Sequence, residues 1–289
     1  MIIVKLTGGL GNQMFQYAFY KAIKRRVADV YIDCTTFEKV LAHEHVNLKK
    51  IFKNIQFDEA RLTDIFTLAD TSRSYFSRIR RRCFGKRKTH IYEDRLTFKP
   101  ELIGLTVDRY LDGYWQSELY FKDIKEEIIQ TFSFPPLQNE KNIQLQDSMI
   151  DQNSVAIHVR KGKDYDSAMR RNICDVEYYK NAVAMIKQKV DSPVFYVFSD
   201  NIDWCKKNLD FIDLNFVDWN PKTGDDNYID MQLMSYCKHN IIANSSFSWW
   251  GAWLNANKDK TVVAPKTWLN QDNVKHSISD IVPHSWILV

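Results

Sequence analysis

The chain has 289 residues and a formal net charge of +4, and 45% of its residues are hydrophobic and 26% charged. This composition is typical of a globular protein with room for two medium domains, and it excludes a disordered chain. The five cysteines are scattered, odd in number and without a CxxC pair, which argues against a disulfide framework and a zinc site.

The N-terminal sequence gives no export signal. Its first apolar run has the length of a strand, is followed at once by glycines and lacks the basic lead of a signal peptide. No stretch reaches the roughly 18 consecutive apolar residues of a transmembrane helix. We therefore expect a cytoplasmic location in a reducing compartment.

The chain begins with a β–loop–α–β pattern. Residues 2–6 predict a buried strand, residues 7–13 a tight glycine-rich loop, residues 14–27 a helix and residues 30–32 a second strand. Units of this kind build parallel sheets.

The glycine loop has three interpretations. Gly9 and Gly11 allow the backbone to approach a ligand, and Asn12 stands at the helix entry. The same two glycines, followed by Asp33, also partly match a dinucleotide fingerprint with its ribose-binding acid, but Met14 occupies the third glycine position. Glycines that serve only the turn are the third interpretation.

A dense basic run extends from Arg78 to Lys88. One interpretation is a solvated helix face, and the other is attraction to anionic lipid head groups or a pyrophosphate-linked acceptor. Because no DNA-reading motif accompanies the run, we expect no nucleic-acid partner.

The second half predicts a separate domain. Pro135 and Pro136, followed by the polar residues 138–153, predict a linker and a domain boundary near residue 150. Beyond it, helices alternate with predicted strands at residues 155–159, 194–198, 211–217, 241–243 and 261–264. The whole pattern predicts an α/β protein with two doubly wound domains, residues 1–150 and 151–289, that face a central cleft.

Three polar clusters follow strands of this second half, at the edge where open parallel sheets bind ligands. They are His158 with Arg160, then Ser199 with Asp200 and Asn201, and finally Asn244 with the run Ser245, Ser246, Phe247 and Ser248 before an aromatic helix. Arginine forks, hydroxyls and helix N-terminal amides suit a phosphate or diphosphate, and His158 or Asp200 suits a base or ribose. Ordinary alternatives also exist: a serine N-cap for the third cluster, and an Arg160–Asp164 ion pair and a core histidine for the first.

Asp164 and Asp166 form a DxD pair, a spacing that can hold a divalent metal. The preceding cations Arg160, Lys161 and Lys163 could neutralise a diphosphate instead. We therefore expect no metal.

Five segments together resemble the α-1,2-fucosyltransferases of glycosyltransferase family 11. In chain order they are TGGLGNQMFQYA (7–18), GYWQSELYF (113–121), HVRKGKDY (158–165), FSDN (198–201) and NSSFSWWGAWL (244–254). The resemblance spans nearly the whole chain. It implies the GT-B fold, an N-terminal acceptor-side domain, a C-terminal domain that binds GDP-β-L-fucose, and inverting transfer to a galactoside 2-hydroxyl without metal or other cofactor.

The resemblance also implies residue roles. Arg160 matches the motif arginine that binds the GDP phosphates, and Lys161 stands where the family has a second arginine. Lys163 is an insertion that shifts the register of Asp164. The residues expected to bind the donor are His158, Arg160, Lys161, Asp200, Asn201, Ser245, Ser246, Phe247, Ser248, Gly9 and Gly11.

The expected catalytic residues are Arg160, Asn12 and Asp164. Arg160 and the amides near residues 246–248 would stabilise the leaving GDP. Asp164 is the candidate general base, with Glu118 and Asp200 as rivals. Trp249, Trp250 and Trp253 are expected to pack behind the site.

Two other functions stay open. The first is a nicotinamide-dependent oxidoreductase that uses Gly9, Gly11 and Asp33, and the second is a non-catalytic GDP-sugar or glycan-binding module. The acceptor glycan and its linkage are not readable from the sequence. We expect a bacterial enzyme that decorates lipid-linked polysaccharide repeats, with the basic run at the inner membrane face.

Overall fold

The computed structural model describes residues 1–38, 48–70, 75–93, 96–162, 165, 167–270 and 278–289. In these residues the chain forms two compact units, Met1–Ser133 and Phe134–Val289. Each unit has its own sheet, and all strand pairs in both sheets are parallel. This confirms the predicted α/β class with two Rossmann-like parallel-sheet units, the components of the GT-B fold.

The N-terminal unit contains a four-stranded sheet in the order β2-β1-β4-β3. The strands are β1 (Ile2–Lys5), β2 (Val30–Asp33), β3 (His90–Tyr92) and β4 (Arg109–Asp112). The described helices are α1 (Leu10–Lys24), α2 (Thr35–Glu38), α3 (Leu48–Ile51), α4 (Leu62–Leu68), α5 (Tyr75–Phe84) and α6 (Lys125–Thr131), with short 3-10 helices at Pro100–Leu102, Glu118–Tyr120 and Lys122–Ile124. The chain runs from β1 to the edge strand β2, then enters the opposite edge at β3 and returns inward to β4 beside β1. We call the position between the carboxyl ends of β1 and β4 the switch point of this sheet.

Helix α1 begins at Leu10, earlier than its apolar periodicity predicts. Gly9 is its N-cap residue, and its carbonyl accepts the N–H groups of Asn12 and Gln13 at 3.0 and 3.1 Å. Gly11, Asn12 and Gln13 therefore lie in the first helical turn and not in a loop. Side-chain periodicity misses this turn because glycine main chain forms the cap.

The C-terminal unit contains a six-stranded sheet in the order β10-β9-β8-β5-β6-β7. The strands are β5 (Ser154–Val159), β6 (Val194–Ser199), β7 (Asn215–Val217), β8 (His239–Ile241), β9 (Val262–Ala264) and β10 (Ile287–Leu288). The described helices are α7 (Glu140–Asp151), α8 (Val176–Lys187), α9 (Ile202–Asn208), α10 (Ile229–Tyr236), α11 (Ser246–Trp253) and α12 (Ile278–Ile281). Three strands extend to each side, as in the Rossmann order, so the switch point lies between β5 and β8.

The predicted linker at residues 138–153 is wrong, because most of it forms helix α7. Its polar residue Asn142 is buried: its amide donates to Asn220 Oδ1 at 2.8 Å, and its oxygen accepts the Trp219 indole N–H at 2.7 Å. A buried and fully paired asparagine looks the same in sequence as a linker residue. Helix α7 belongs to the C-terminal unit, so the units divide between residues 133 and 134 and not near 150.

Helices α8 and α11 fix the ends of the central strands. The Asp175 carboxylate caps α8 by accepting the Tyr178 N–H at 2.9 Å, at an N-cap position that aspartate favours. Helix α11 packs closely on α10, since a Cβ added at Gly251 would lie 2.7 Å from Met234 Cε. Trp249, Trp250 and Trp253 are buried, which confirms their predicted packing role.

No helix in the described ranges is both long enough and apolar enough to cross a bilayer.

Candidate functional site

The three predicted polar clusters contact one another at the switch point of the six-stranded sheet. Arg160 Nη1 lies 3.1 Å from the Asp200 carboxylate, which joins the turn after β5 to the turn after β6. The His158 ring lies 5.7 Å from the Phe247 ring at the start of α11. The Tyr165 hydroxyl donates to the Asn244 carbonyl at 2.6 Å. The loops that follow β5, β6 and β8 therefore form one site, as predicted for open parallel sheets.

Asp200 holds the turn that carries Arg160. Its Oδ1 accepts the Lys161 N–H at 2.8 Å, its Oδ2 accepts the Gly162 N–H at 2.9 Å, and the same Oδ2 contacts Arg160. Charge-assisted bonds of this kind are stronger than neutral ones. The Asp200 carboxylate thus holds the backbone of the turn and orients the half-exposed Arg160 guanidinium.

Lys161 and Asn201, also predicted to bind the donor, have contacts inside the unit. Lys161 Nζ donates to the Cys174 carbonyl at 2.9 Å and lies 4.5 Å from the centre of the Trp204 ring. The Asn201 side chain accepts the Trp204 N–H at 3.0 Å and so caps α9. Both side chains stabilise the surroundings of the turn in this structure.

Helix α11 presents its N-terminus at the switch point. Ser245 is the N-cap residue, but its side chain makes no capping bond, and the first turn contains no acidic residue. The N–H groups of residues 246–248 have no carbonyl within the helix, because the first turn of any α-helix lacks them. The Ser248 hydroxyl points inward to the Ser245 and Ala243 carbonyls at 3.3 and 3.4 Å. The amides and the positive end of the helix dipole therefore favour an anion here.

His158 brings a neutral imidazole to the same place. Its side chain is 5% exposed, and among the described residues its Nδ1 finds no hydrogen-bond partner. Burial, and secondarily the charges of Arg160 and Lys222, lower the pKa of His158 to about 3. An unsatisfied buried nitrogen beside a helix N-terminus is the kind of group that a bound ligand pairs.

The switch point of the four-stranded sheet is lined by side-chain amides. The buried Gln16 accepts the Thr7 N–H at 2.9 Å and donates to the Gly113 carbonyl at 2.8 Å, which ties the loop after β1 to the loop after β4. Asn12 Oδ1 accepts the amide of Gln116 at 2.7 Å. The sequence pattern singles out neither glutamine, because helical periodicity counts the inward Gln16 as polar and therefore exposed, and Gln116 lies in a loop without periodicity.

Gly8 is the position in this loop that requires glycine. Its φ is +78°, and an added Cβ would lie 2.9 Å from the Asn12 amide nitrogen. Gly9 has φ −75° and nothing within 4 Å of an added Cβ. The loop after β4 is also restrained, since Glu93 accepts the N–H groups of Tyr114 and Trp115 at 2.5 and 3.2 Å, and Trp115 has φ +56°.

Asp33 has a structural role. The carboxylate is 2% exposed, accepts the Tyr110 hydroxyl at 2.5 Å and accepts the Thr35 N–H at 2.8 Å. A ribose would have to displace both donors to reach it. This arrangement argues against the dinucleotide interpretation of the glycine loop.

Asp164, the predicted general base, lies outside the described residues, as do Lys163 and Asp166 of the DxD segment. No group of three His, Cys, Asp or Glu side chains in the described part of the chain could hold a metal. Metal independence and the role of Asp164 stay predictions.

Sequence comparison identifies the family. The family model "Glycosyl transferase family 11" matches residues 1–289, so the chain belongs to this family and is a glycosyltransferase. It is 30% identical over 306 residues to an alpha-1,2-colitosyltransferase of Escherichia coli, and the alignment covers 100% of this chain and 99% of that protein. It is 29% identical over 309 residues to the E. coli O-antigen biosynthesis glycosyltransferase WbnK, with 98% of each chain covered.

A galactoside alpha-(1,2)-fucosyltransferase 2 of Pongo pygmaeus is 27% identical over 154 residues, or 50% of this chain and 44% of that protein. Among solved structures, the NodZ alpha-1,6-fucosyltransferase soaked with GDP-fucose aligns with a TM-score of 0.48 at 13% identity, over 88% of this chain and 91% of that chain.

The low pKa of His158 predicts a pH-dependent stability. Between pH 7.5 and 5, His158 binds a proton in the unfolded chain but not in the folded one, because its folded pKa of about 3 lies below the ordinary value of 6.5. Folding therefore loses stability as the pH falls through this window. We expect the melting temperature of His158→Gln to fall less than that of the wild type between pH 7.5 and 5, measured by circular dichroism.

The same substitution at the exposed His284 is the control and should follow the wild type. A His158→Gln curve parallel to that of His284→Gln would contradict the assignment of a buried neutral imidazole.

Proposed function

We propose that the chain transfers L-fucose from GDP-β-L-fucose to the 2-hydroxyl of a galactoside with inversion at the anomeric carbon. The observation that carries this proposal is the anion site at the switch point of the six-stranded sheet, where the N-terminus of α11 and Arg160 lie together with the neutral His158. A nucleoside diphosphate has the charge that such a site favours. Membership of family 11 supports the same donor class.

The mechanism follows from the movement of charge. The bond between the anomeric carbon and the diphosphate oxygen breaks while the acceptor oxygen attacks from the opposite face, and negative charge grows on the departing GDP. Arg160, fixed by Asp200, and the amides of residues 246–248 would stabilise that charge without reorganising. These groups supply positive charge without a metal ion. Asp164 remains our candidate for the base that removes the acceptor proton.

The donor sugar is a separate part of the proposal. One relative is an alpha-1,2-colitosyltransferase, whereas others are alpha-(1,2)-fucosyltransferases. Colitose differs from fucose by the absence of the 3-hydroxyl, so a single hydrogen-bonding group in the pocket would separate the two donors. We propose fucose, and the ratio of kcat/KM for GDP-fucose and GDP-colitose decides between them.

We propose that the acceptor galactoside binds at the switch point of the N-terminal unit. The Asn12–Gln116 amide pair offers donors and acceptors for sugar hydroxyls, and Tyr114, 37% exposed, offers an aromatic face for a pyranose ring. A relative named for O-antigen biosynthesis supports a polysaccharide repeat as the acceptor. Cytoplasmic location, with the repeat held at the inner membrane face, completes this proposal.

The basic run supports contact with that membrane, because its cations divide into two sets. Arg80, Arg81 and Arg87 are anchored on Asp70: Arg80 contacts its carboxylate, the Arg87 guanidinium lies 4.0 Å from that carboxylate, and Arg81 donates to the Asp70 carbonyl at 3.3 Å. Arg80 and Arg81 thereby fix α5 to the unit, and Arg87 fixes the segment that follows it.

The other set consists of four exposed cations: Arg78, Arg82, Lys86 and Lys88. Together with the exposed apolar residues Ile79 and Phe84 they form what we call the cationic surface. Phe84 is 83% exposed and is surrounded in sequence by Arg82 and Lys86. An apolar ring among cations fits the interface of an anionic bilayer, where the ring enters the head-group region and the cations meet lipid phosphates. We propose such a bilayer as its partner.

Turnover tests the proposed function. We expect GDP release when GDP-fucose and a galactoside are mixed, and a loss of about 10²–10³-fold in kcat/KM for Arg160→Ala, since a fixed donor to the leaving group is removed. Arg171→Ala, which removes an exposed arginine of the same unit, should remain within twofold of the wild type. An Arg160→Ala enzyme with near wild-type kcat/KM would refute the role of Arg160.

Binding of NAD but not GDP in calorimetry would favour the oxidoreductase, and binding of GDP-fucose without GDP release would favour the binding module.

Vesicle sedimentation tests the cationic surface. We expect the protein to sediment with vesicles of phosphatidylcholine and phosphatidylglycerol but not with phosphatidylcholine alone. The double variant Arg82→Gln/Lys86→Gln should bind about 30-fold more weakly, because each cation near the surface contributes about 1 kcal/mol and two are removed.

Lys187→Gln/Lys189→Gln removes the same charge from an exposed stretch of the C-terminal unit and should bind like the wild type. Equal loss in both double variants, or no preference for the anionic lipid, would exclude the cationic surface as the membrane contact.

A further inference from the structure

The cation that follows Arg160 in the motif is not directed toward the proposed nucleotide site. Lys161 occupies the position after Arg160, but its ammonium group donates to the Cys174 carbonyl and lies over Trp204. Successive side chains leave an extended segment in opposite directions, so Lys161 and Arg160 point apart. A lysine also lacks the planar fork that binds a phosphate through two bonds.

Arg170 lies on the same aromatic ring as Arg160. The guanidinium carbons of Arg160 and Arg170 are each 5.5 Å from the centre of the Tyr165 ring. The two guanidinium carbons can therefore be at most 11 Å apart, which is twice 5.5 Å. Each guanidinium group stands at the end of a long side chain and so extends well away from its backbone. Tyr165 itself donates to the Asn244 carbonyl, directly before α11. The ring therefore holds both arginines beside the N-terminus of that helix.

The loop that carries Arg170 is a fixed part of the unit. The N–H groups of Arg170 and Arg171 both donate to the Ser167 carbonyl at 3.0 Å, which closes a tight turn. Asn270 then secures the turn: its backbone N–H donates to the Met169 carbonyl at 2.7 Å, and its side chain donates to the Arg171 carbonyl at 2.8 Å. An arginine on so restrained a turn loses little further backbone entropy when it binds a ligand.

We propose that Arg170 is the second guanidinium of the diphosphate site and takes the place that the motif leaves to Lys161. The inference rests on the proposed GDP-sugar donor. Arg160 and Arg170 would both bind the diphosphate beside Tyr165, and the amides of α11 would bind it from the helix end. Two guanidinium groups match the two phosphates of GDP, whereas GMP can engage only part of this set.

The preference of the site for GDP over GMP tests this inference. Calorimetry on the full chain should give a wild-type protein that binds GDP more tightly than GMP. In Arg170→Ala we expect this preference to fall about 10- to 100-fold, the effect of one charged hydrogen-bonding group. Arg170→Lys should fall between the two, because it keeps the charge and loses the fork.

Arg171→Ala is the matched control, since it removes the adjacent, exposed arginine and the same net charge. Its preference for GDP over GMP should equal that of the wild type. A general disturbance of Tyr165 would weaken GDP and GMP alike and leave the ratio unchanged. Circular dichroism melting checks that each variant is folded, and Arg170→Gln, which retains most of the side chain, replaces the alanine variant if that one is not.

The results that would refute the role of Arg170 differ from the result that would refute the proposed function. An unchanged ratio in Arg170→Ala and Arg170→Gln, or an equal fall in Arg171→Ala, would overturn the role of Arg170 and leave the proposed function intact. A wild-type protein that does not bind GDP would instead refute the proposed function.

Discussion

The proposed donor site depends on the contacts that the Asp200 carboxylate makes. It accepts two backbone N–H groups of the turn after β5 and contacts the Arg160 guanidinium, so it links the carboxyl ends of β5 and β6 beside the switch point. Without it the two amides would lose their acceptor, and Arg160 would lose a fixed direction. A cation must be held in place before the reaction if it is to stabilise charge that develops during the reaction.

Neutral amides perform the comparable task in the N-terminal unit. Gln16 joins the loops after β1 and β4, and the Gln13 amide donates to the Gly8 carbonyl at 2.8 Å. Both glutamines are buried, and each holds loop backbone that could not otherwise be satisfied at that depth. The chemical contrast fits the proposed division of labour: fixed cations and helix amides for a diphosphate in one unit, and carboxamides with an exposed tyrosine for uncharged sugar hydroxyls in the other.

The sequence predicts what depends on local pattern. The apolar runs of β5 and β6, the Asp175 cap and the convergence of three polar clusters follow from residue type and from the geometry of parallel sheets. It does not predict the direction of a side chain: Lys161 and Asn201 are polar residues beside the site, yet their contacts lie within the fold. A buried polar residue caused the wrong linker prediction, since Asn142 made helix α7 look like a linker, and the buried Gln16 is likewise polar and not marked by the apolar pattern.

The central claim is that the nucleotide diphosphate binds at the switch point of the six-stranded sheet, and a crystal structure of the GDP complex tests it most directly. The account predicts both phosphates within hydrogen-bonding distance of the N-terminal amides of α11 and of the Arg160 guanidinium, with His158 Nδ1 paired by the ligand. Phosphates bound instead at the glycine loop before α1, with Arg160 in contact with Asp200 and not with a phosphate, would contradict it.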